Sequence, residues 1–470
     1  MKRFKINLLM GICVALTISS CAVSKKHTRP ELHLPDKYRQ EVNLTADSVQ
    51  LPWNTFFRNP QLTGLIEKAL EKNKDISIAL KNMEQLDLAF KQAKLGLLPT
   101  LEFVAGVNRN YNSKNSLNGQ MADQFVGSDY MDDFNSSLRL NWEVDIWGKA
   151  AMQKAATRAE YFGQVENLSA LKTRIIVQVA QAYYNLVSLD EQMKIAKENI
   201  ALSDNTLQMI RFQYNAGQVN SLAVEQSEAQ KKTAELLVPL IEQNIAVQEN
   251  ALSILCGSYP ESVSRITALK NVALGDVFVS GVPAELISRR PDVKAAEYAV
   301  MALNEKTGLA KAAMYPSISL SPQIGTNSMK FRDWFDLPGS LTKTLAANLT
   351  APIFQKRSLN TAYKTALIEQ EKAAIQFEQS VLVAVREVSD ALAKSKAAEE
   401  RMLLVEQKSV SLDKAVEDAM KLYRAGMATY LEVITAQNNR LQNDLEAVNI
   451  EMEKLNAYVE LYRALGGGVQ

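Results

Sequence analysis

FNSSLRLNWEVD, residues 134–145, alternates apolar and polar side chains at a period of two. Three further runs, residues 101–108, 317–324 and 344–349, alternate in the same way. Runs of this kind have about the length of a tilted β-strand that crosses a membrane with one face toward lipid and the other toward water. The alternative to membrane-crossing strands is a soluble sheet that packs on the helices. The runs therefore predict four strands, each with one apolar face.

Four strands per chain set a condition on assembly. Open sheet edges are not tolerated in lipid, and the smallest usual outer-membrane barrel has about eight strands. Several copies must therefore contribute strands to one barrel, and the strand count alone permits a dimer or a trimer. Residues 112–133 and 328–340 separate the paired runs and are expected to form longer exposed loops.

Long helical segments follow each pair of runs. Residues 150–214 contain no proline and would reach roughly 100 Å as a helix. From Ile175 onward, apolar or small residues recur at 4,3,4,3 spacing, a heptad seam that predicts left-handed helix packing, and the second half repeats the seam up to Tyr423. Gly217 and Gly426 follow the two seams and can adopt the left-handed conformation that closes a helix. The pattern predicts two antiparallel helical hairpins. If the chain had no predicted strands, a coiled-coil rod would be the preferred interpretation of the heptads.

The two halves form an internal repeat of roughly 210 residues. Each half reads helix, two strands and long helical hairpin, so the fold class is mixed α+β, mainly α. We predict repeat 1 over residues 51–280, repeat 2 over residues 281–465 and a flexible C-terminus over residues 466–470. Three motifs recur in the same order at offsets of 217, 207 and 209: Ala93-Lys94 with Leu98-Pro99, Ile146-Trp147-Gly148-Lys149, and Tyr214-Asn215-Ala216-Gly217.

The N-terminus reads as a secretion signal. A basic start, an apolar run over residues 6–18 and small residues before Cys21 resemble a lipobox. The resemblance implies that residues 1–20 are removed, that the thiol of Cys21 carries a lipid, and that residues 21–50 form a lipid-anchored tail. Ala22 lacks the acidic character that retains enteric-type lipoproteins at the inner membrane. An ordinary secretory signal is the alternative.

Composition argues against several classes of function. Without the signal, the chain has 50 Lys and Arg residues and 52 Asp and Glu residues. It therefore lacks the concentrated basic surface of a nucleic-acid-binding protein. His27 and His33 are the only histidines, and Cys256 is the only cysteine after Cys21. The sequence contains no HExxH, GxSxG, CxxC or P-loop motif. We therefore expect no enzyme, no metal and no cofactor, with Cys256 a small core residue.

Two groups of residues carry a family resemblance. The first is Trp53-Asn54-Thr55-Phe56-Phe57 with Pro60-Gln61-Leu62, Leu65-Ile66 and Ala69-Leu70, and the second is Gly281-Val282-Pro283 with Leu286, Arg289-Arg290-Pro291-Asp292 and Ala296-Glu297. Both groups resemble the TolC-like outer membrane efflux proteins, in their lipoprotein (NodT-type) branch. The resemblance implies a trimer with a shared twelve-stranded outer-membrane barrel, continued by a long α-helical barrel across the periplasm. It also implies a periplasmic adaptor and an inner-membrane transporter, usually of the resistance-nodulation-division (RND) type and less often ATP-driven.

The same resemblance assigns roles at the hairpin tips. Gly217 and Gly426 would be the tips that contact the adaptor. Family members place acidic residues six and nine positions after the second tip glycine, which here are Glu432 and Thr435. One acidic ring is therefore expected at the periplasmic aperture, and the second is missing. Tyr423 would also lie at the aperture.

These aperture roles have simpler alternatives. Glu432 can be an ordinary exposed helix residue, and Tyr423 a packing residue of the seam. The position that carries an acid in some relatives is Ala223 here, so a tyrosine-to-acid lock from Tyr423 cannot form.

The functional expectation is an outer-membrane exit duct of a tripartite efflux pump, which passively conducts substrates delivered by an inner-membrane transporter. An outer-membrane duct for type I protein secretion and a non-conducting, lipid-anchored coiled-coil scaffold are the alternatives. The alternating strands favour a duct over a scaffold. The sequence does not distinguish the cargo or the kind of pump.

Overall fold

The computed structural model describes residues 52–265 and 289–468, apart from residues 114, 122, 123, 125, 126 and 129. Cys21 and the Gly281–Leu286 part of the family resemblance lie outside the described residues. The chain divides into two compact units. The first contains Glu84–Phe162 and Tyr298–Ile375. The second contains, of the described residues, 52–83, 163–265, 289–297 and 376–468.

Helices account for most of the described chain and confirm the internal repeat. Both long helices have 67 residues, and both return helices have 35. No helix within the described ranges combines the length and apolar character needed to cross a membrane. In chain order the helices are α1 (Trp53–Phe56), α2 (Pro60–Lys72), α3 (Lys74–Lys94), α4 (Leu117–Met121), α5 (Lys149–Asn215), α6 (Ser221–Leu255), α7 (Pro291–Ala312), α8 (Ser358–Arg424) and α9 (Tyr430–Ala464).

The strands lie in the first unit and form one antiparallel sheet. Strand β2 pairs with β1 on one side and with β4 and β3, end to end, on the other. In turn, β4 pairs with β5 and β3 with β6, so the sheet is four strands wide. The strands are β1 (Thr100–Tyr111), β2 (Tyr130–Val144), β3 (Ser317–Leu320), β4 (Gln323–Ser328), β5 (Leu341–Thr344) and β6 (Ala347–Thr350).

The second-half strands differ from the prediction because each is broken once. The first break includes Pro322, whose nitrogen carries no hydrogen to donate to a neighbouring strand. Pairing nevertheless continues, since the amide of Leu140 donates to the carbonyl of Pro322 at 3.0 Å and the amide of Ser321 donates to that of Ala346 at 2.8 Å. The four predicted strands are therefore confirmed, but each of the two strands in the second half is interrupted once.

The predicted alternation gives the sheet one apolar and one polar face. Leu101, Phe103 and Val107 of β1 stand opposite Leu140, Leu138 and Phe134 of β2, and this face continues through Ile324 and Leu349. Its large side chains are mostly exposed, with Phe103 at 69% and Leu349 at 71% of full accessibility. The opposite face carries mainly Asn, Ser, Thr, Gln and charged residues.

The core of the second unit forms around the heptad seam of α5. The seam residues are buried or half-buried as predicted, except that Tyr214 at its end is exposed. Against this seam pack the apolar residues of the first motif that carries the family resemblance. Phe56 stacks on Tyr462 of α9 at a centroid distance of 4.7 Å, and Asn59 caps α2 by accepting from the amides of Gln61 and Leu62. The motif therefore covers the core of the second unit next to the C-terminal end of α9.

Candidate functional site

Both hairpin tips use the same glycine-based helix end. At the first tip, the amide of Gly217 donates to the carbonyl of Tyr214 at 2.9 Å, and the next amide donates to the carbonyl of Gln213 at 2.8 Å. The second tip repeats this pattern, with Gly426 bonded to Tyr423 at 3.1 Å. These are the two hydrogen bonds of a Schellman motif, and both glycines have φ of +73°. The predicted left-handed glycine closure is therefore confirmed at both positions.

The return helices restart within a few residues but with different caps. Asn220 caps α6, and its Oδ1 accepts from the amide of Ala223 at 3.2 Å. Helix α9 begins instead with a capping box, in which Glu432 Oε2 accepts from the amide and the hydroxyl of Thr429, the latter at 2.8 Å. The carboxylate predicted to line an aperture is thus also the residue that fixes the start of α9.

Tyr423 lies between the two tips. Its ring is 5% exposed and packs in an apolar cluster with Ile210, Ala223 and Val433. Its hydroxyl donates to Oε1 of Gln213. Burial, with a smaller contribution from neighbouring charge, raises the pKa of Tyr423. Seam packing of Tyr423 is therefore confirmed. Position 223 is an alanine on which the ring packs, and the hydroxyl makes a neutral tyrosine-to-glutamine hydrogen bond.

Glu432 and Thr435 are both exposed and lie one turn apart on the first turns of α9. They share a face because residues three apart are neighbours on a helix. Their predicted place around an aperture concerns several copies of the chain and stays a prediction.

Amide side chains that the sequence analysis did not single out join the two hairpins. Besides Gln213, Gln226 Oε1 accepts from the hydroxyl of Tyr430 at 2.5 Å, and Asn438 Nδ2 donates to Gln230 Oε1 at 3.1 Å. The bonded pairs are 210, 204 and 208 positions apart, close to the repeat period. Overlaying the two repeats and asking which polar residues face each other would have found them.

The signature at the start of the second repeat holds a buried arginine. The side chain of Arg290 is 3% exposed and donates to Asp292 at 2.6 Å, to Glu387 at 2.7 Å and to the carbonyl of Ala464 at 3.2 Å. Arg463 binds the other oxygen of Glu387 at 2.8 Å. Burial opposes ionisation of Glu387, but the two arginines outweigh it and lower the pKa of this carboxyl. The network joins the start of α7, the middle of α8 and the end of α9 within one unit.

Aromatic residues border the apolar face of the sheet at two levels. At one, Phe134 contacts Phe331 and Trp334, each at a centroid distance of 5.6 Å. At the other lies Trp142, whose indole nitrogen donates to the carbonyl of Leu97 at 2.9 Å. Eight residues of β2 separate the two levels, about 26 Å at the rise of a strand. That spacing is close to the apolar band of outer-membrane strands, about 25 Å between two aromatic girdles.

Within the described residues, no group of three or more His, Cys, Asp and Glu is arranged to hold a metal ion. Cys256 is buried in the core of the second unit, where burial raises the pKa of its thiol and keeps it protonated.

A family model described as outer membrane efflux protein matches residues 65–258 and 282–467 of the chain. The chain belongs to this outer membrane efflux protein family. The cation efflux system protein CusC of Escherichia coli K12 is 26% identical to it over 464 residues, which cover 98% of this chain and 99% of CusC. The solvent efflux pump outer membrane protein SrpC of Pseudomonas putida is 29% identical over 415 residues, 88% of this chain and 86% of SrpC. A crystal structure of CusC matches with a TM-score of 0.85 at 25% identity, covering 95% of this chain and 100% of that one.

Membership in the outer membrane efflux protein family confirms the predicted resemblance and the TolC-like, mainly helical fold with its two repeats. The chain is an outer-membrane exit duct and one component of a multi-component efflux system. Members of the family are channels rather than enzymes.

Proposed function

We propose that three copies of the chain form the duct, and that their sheets close into one twelve-stranded barrel in the outer membrane. The observation that carries this is the sheet itself. Among the described residues, β1 pairs on one side only, as does the interrupted strand made of β5 and β6, and the apolar face of the sheet is exposed. Open edges beside lipid would leave backbone groups without partners, so neighbouring copies must cover them. Three sheets of four strands give an even-numbered barrel of the usual size range.

The finer roles follow the family resemblance. Lipid on Cys21 would add an anchor in the outer membrane to the barrel. The tips at Gly217 and Gly426 would contact a periplasmic adaptor, which joins the duct to an inner-membrane transporter of the RND type. Glu432, Thr435 and Tyr423 would surround the periplasmic aperture. The relatives are named for different cargoes, cations and solvents, so we assign substrate selection to the transporter and adaptor rather than to the duct.

Stoichiometry is the first test. Native mass spectrometry of the protein purified in detergent should give a trimer. A stable monomer would contradict the shared barrel, and a dimer would contradict the family-based stoichiometry while leaving the edge argument intact.

The tips are tested by Gly217→Val combined with Gly426→Val in a susceptibility assay with the complete pump. A β-branched residue at positive φ strains the backbone by about 1–3 kcal/mol per site, and apart from the residue itself and its chain neighbours nothing lies within 4 Å of the Cβ that either substitution adds. The variant should therefore insert and form trimers but lose efflux. Gly148→Val is the matched control, because Gly148 has φ of +71° and equally open surroundings before α5. Efflux at the wild-type level in the tip variant would show that these glycines do not contact the adaptor.

A further inference from the structure

The segment between β4 and β5 folds over the apolar face of the sheet. The rings of Phe331 and Trp334 in this segment each lie 5.6 Å, centroid to centroid, from the ring of Phe134. Phe134 belongs to the apolar face, where it stands opposite Val107 of β1. Strand β4 separates β2, which carries Phe134, from the β5 edge of the sheet. The aromatic rings of the segment therefore cover the middle of the sheet rather than this edge.

Hydrogen bonds within the segment hold it in this arrangement. A 3₁₀ turn covers Phe331–Asp333. After it, the amide of Ser340 donates to the carbonyl of Asp336 at 2.8 Å, and the carbonyl of Ser340 accepts from the amide of Asn327 at 2.9 Å. The segment is therefore a hydrogen-bonded element that is tied to the end of β4.

Large apolar side chains of the segment are nevertheless uncovered. Phe331 is 69% exposed, Phe335 is 68% exposed and Leu337 is 62% exposed. Exposed apolar surface that is contiguous in this way marks a site of contact with a protein or a membrane. Because the rings of the segment continue the apolar face of the sheet, whatever covers that face should also cover the segment.

The segment lies at the end of the sheet that faces away from the long helices. Helix α3 leads into β1 at Thr100, and β2 leads into α5 from Val144. Strand β4 ends at Ser328, which is paired with Phe134 near the other end of β2. The helical extension of the chain lies in the periplasm. The end of the sheet that carries the segment therefore faces the outer leaflet of the outer membrane.

Charged side chains limit how far the segment can enter a bilayer. Lys330 and Arg332 stand on either side of Phe331 in the chain, and Asp336 follows Phe335; all three charged residues are exposed. Long basic side chains can reach the headgroups from an apolar position, but a carboxylate is costly among acyl chains. Alternation of aromatic and charged residues is typical of a segment that lies in the membrane interface rather than across the membrane.

We propose that residues 329–338 form an interfacial element, which inserts Phe331, Phe335 and Leu337 among the acyl chains of the outer leaflet. The inference rests on the proposed barrel, because that barrel turns the apolar face of the sheet toward lipid. A neighbouring copy would pair with the β5 edge, whereas the rings of the segment cover β2, so lipid is the occupant that this position favours. The element would give each copy of the chain a hold on the membrane in addition to its strands.

Nitroxide labels on single introduced cysteines measure the surroundings of the segment in the full-length protein, reconstituted in lipid nanodiscs. Oxygen concentrates in lipid and a water-soluble nickel chelate stays in water, so the ratio of their collision rates with a label distinguishes the two. Phe335→Cys and Leu337→Cys should both give the ratio of a lipid-exposed label. Two positions are used because Phe335 also stacks on Trp334 at 5.0 Å, and its replacement could disturb the segment. The wild type, whose Cys256 is buried, gives the background.

Val107→Cys and Asn108→Cys are the matched controls, because these neighbours in β1 lie at the level of Phe134 on the apolar and the polar face. Both segment labels should match Val107→Cys and exceed Asn108→Cys several-fold. Ratios typical of water at both segment positions, beside a lipid ratio at Val107, would overturn the inference and leave the barrel intact. A ratio typical of water at Val107 as well would contradict the barrel itself. Segment labels that neither reagent reaches would show that a neighbouring copy covers the segment, which would also overturn the inference.

Discussion

Tyr423→Phe should weaken the contact between the two hairpin tips of one chain while leaving their packing intact. The substitution removes only the hydroxyl that donates to Gln213 and keeps the ring in its apolar cluster. The lost bond joins the two hairpins of one chain, so any movement that separates the tips must break it. If the tips separate when the duct opens, the variant should open more readily than the wild type.

The size of the effect follows from burial. A typical intramolecular hydrogen bond contributes about 0.5–1.5 kcal/mol to stability, and the 5% exposure of Tyr423 favours the middle of that range or above. At about 1 kcal/mol per chain, three chains that open together would shift the opening equilibrium by about 3 kcal/mol, a factor on the order of 10².

Single-channel recording in planar bilayers measures this shift as open probability, and susceptibility to a bulky antibiotic gives the cellular counterpart. Tyr430→Phe is the matched control, because it removes the same group from an exposed bond to Gln226 and should have a smaller effect. If Tyr423→Phe conducts like the wild type, or no more than Tyr430→Phe, the hydrogen bond to Gln213 does not hold the two tips together during gating.

Four further changes test other parts of the chain. Glu432→Gln should reduce cation selectivity in bilayers and keep the start of α9, because Gln can replace Glu in a capping box; unchanged selectivity would exclude this residue from the aperture lining. Arg290→Met should lower the free energy of unfolding by about 1–3 kcal/mol, since Asp292 loses its ion pair and the half-buried Glu387 keeps only Arg463, and calorimetry should show the difference shrinking as the pH falls through the lowered pKa of Glu387. Gly325→Ala should prevent assembly, assayed by native mass spectrometry, because its Cβ would lie 2.0 Å from a backbone oxygen of β2, whereas Gly106→Ala, with 3.4 Å of space on the same sheet, should assemble normally. Cys21→Ser should abolish lipidation without preventing assembly, and mass spectrometry of the purified N-terminus would refute the assignment if the wild-type cysteine is unmodified.

The sequence predicted those parts of the fold that depend on local periodicity. The proline-free stretch 150–214 gave α5 to within one residue at each end, heptad spacing gave its buried seam, and alternation placed the two faces of the sheet correctly. The end of the seam was predicted less well, because Tyr214 and Tyr423 occupy equivalent positions and yet only Tyr423 is buried. Which of two equivalent tyrosines is covered depends on how the hairpins dock, and one chain's spacing pattern carries no information about that.

The sequence predicted the backbone conformation of the candidate site but not the hydrogen-bond and salt-bridge partners of its side chains. Glycine after a seam was sufficient to predict both left-handed helix ends, since few other residues adopt that conformation without strain. The hydrogen bond from Tyr423 to Gln213 and the salt bridge from Arg290 to Glu387 join residues 210 and 97 positions apart. Contacts at such separations follow from tertiary packing, so the sequence motif identified Arg290 but not the carboxylate it binds.

The two tips have the same backbone conformation but different side chains, which indicates a division of roles between the repeats. Both keep a glycine at φ of +73° and a 35-residue return helix, so both can present the same turn to a partner. Only the second tip combines a buried tyrosine with an acidic residue in the first turn of its return helix; the first offers Ala223 as the surface on which that tyrosine packs. A change at the first tip that leaves Ala223 and Gln213 in place should therefore affect docking alone, whereas changes on the second tip should affect docking and opening together. Comparing conductance with efflux for Gly217→Val and Gly426→Val made singly would separate the two: equal conductance in both would contradict the division.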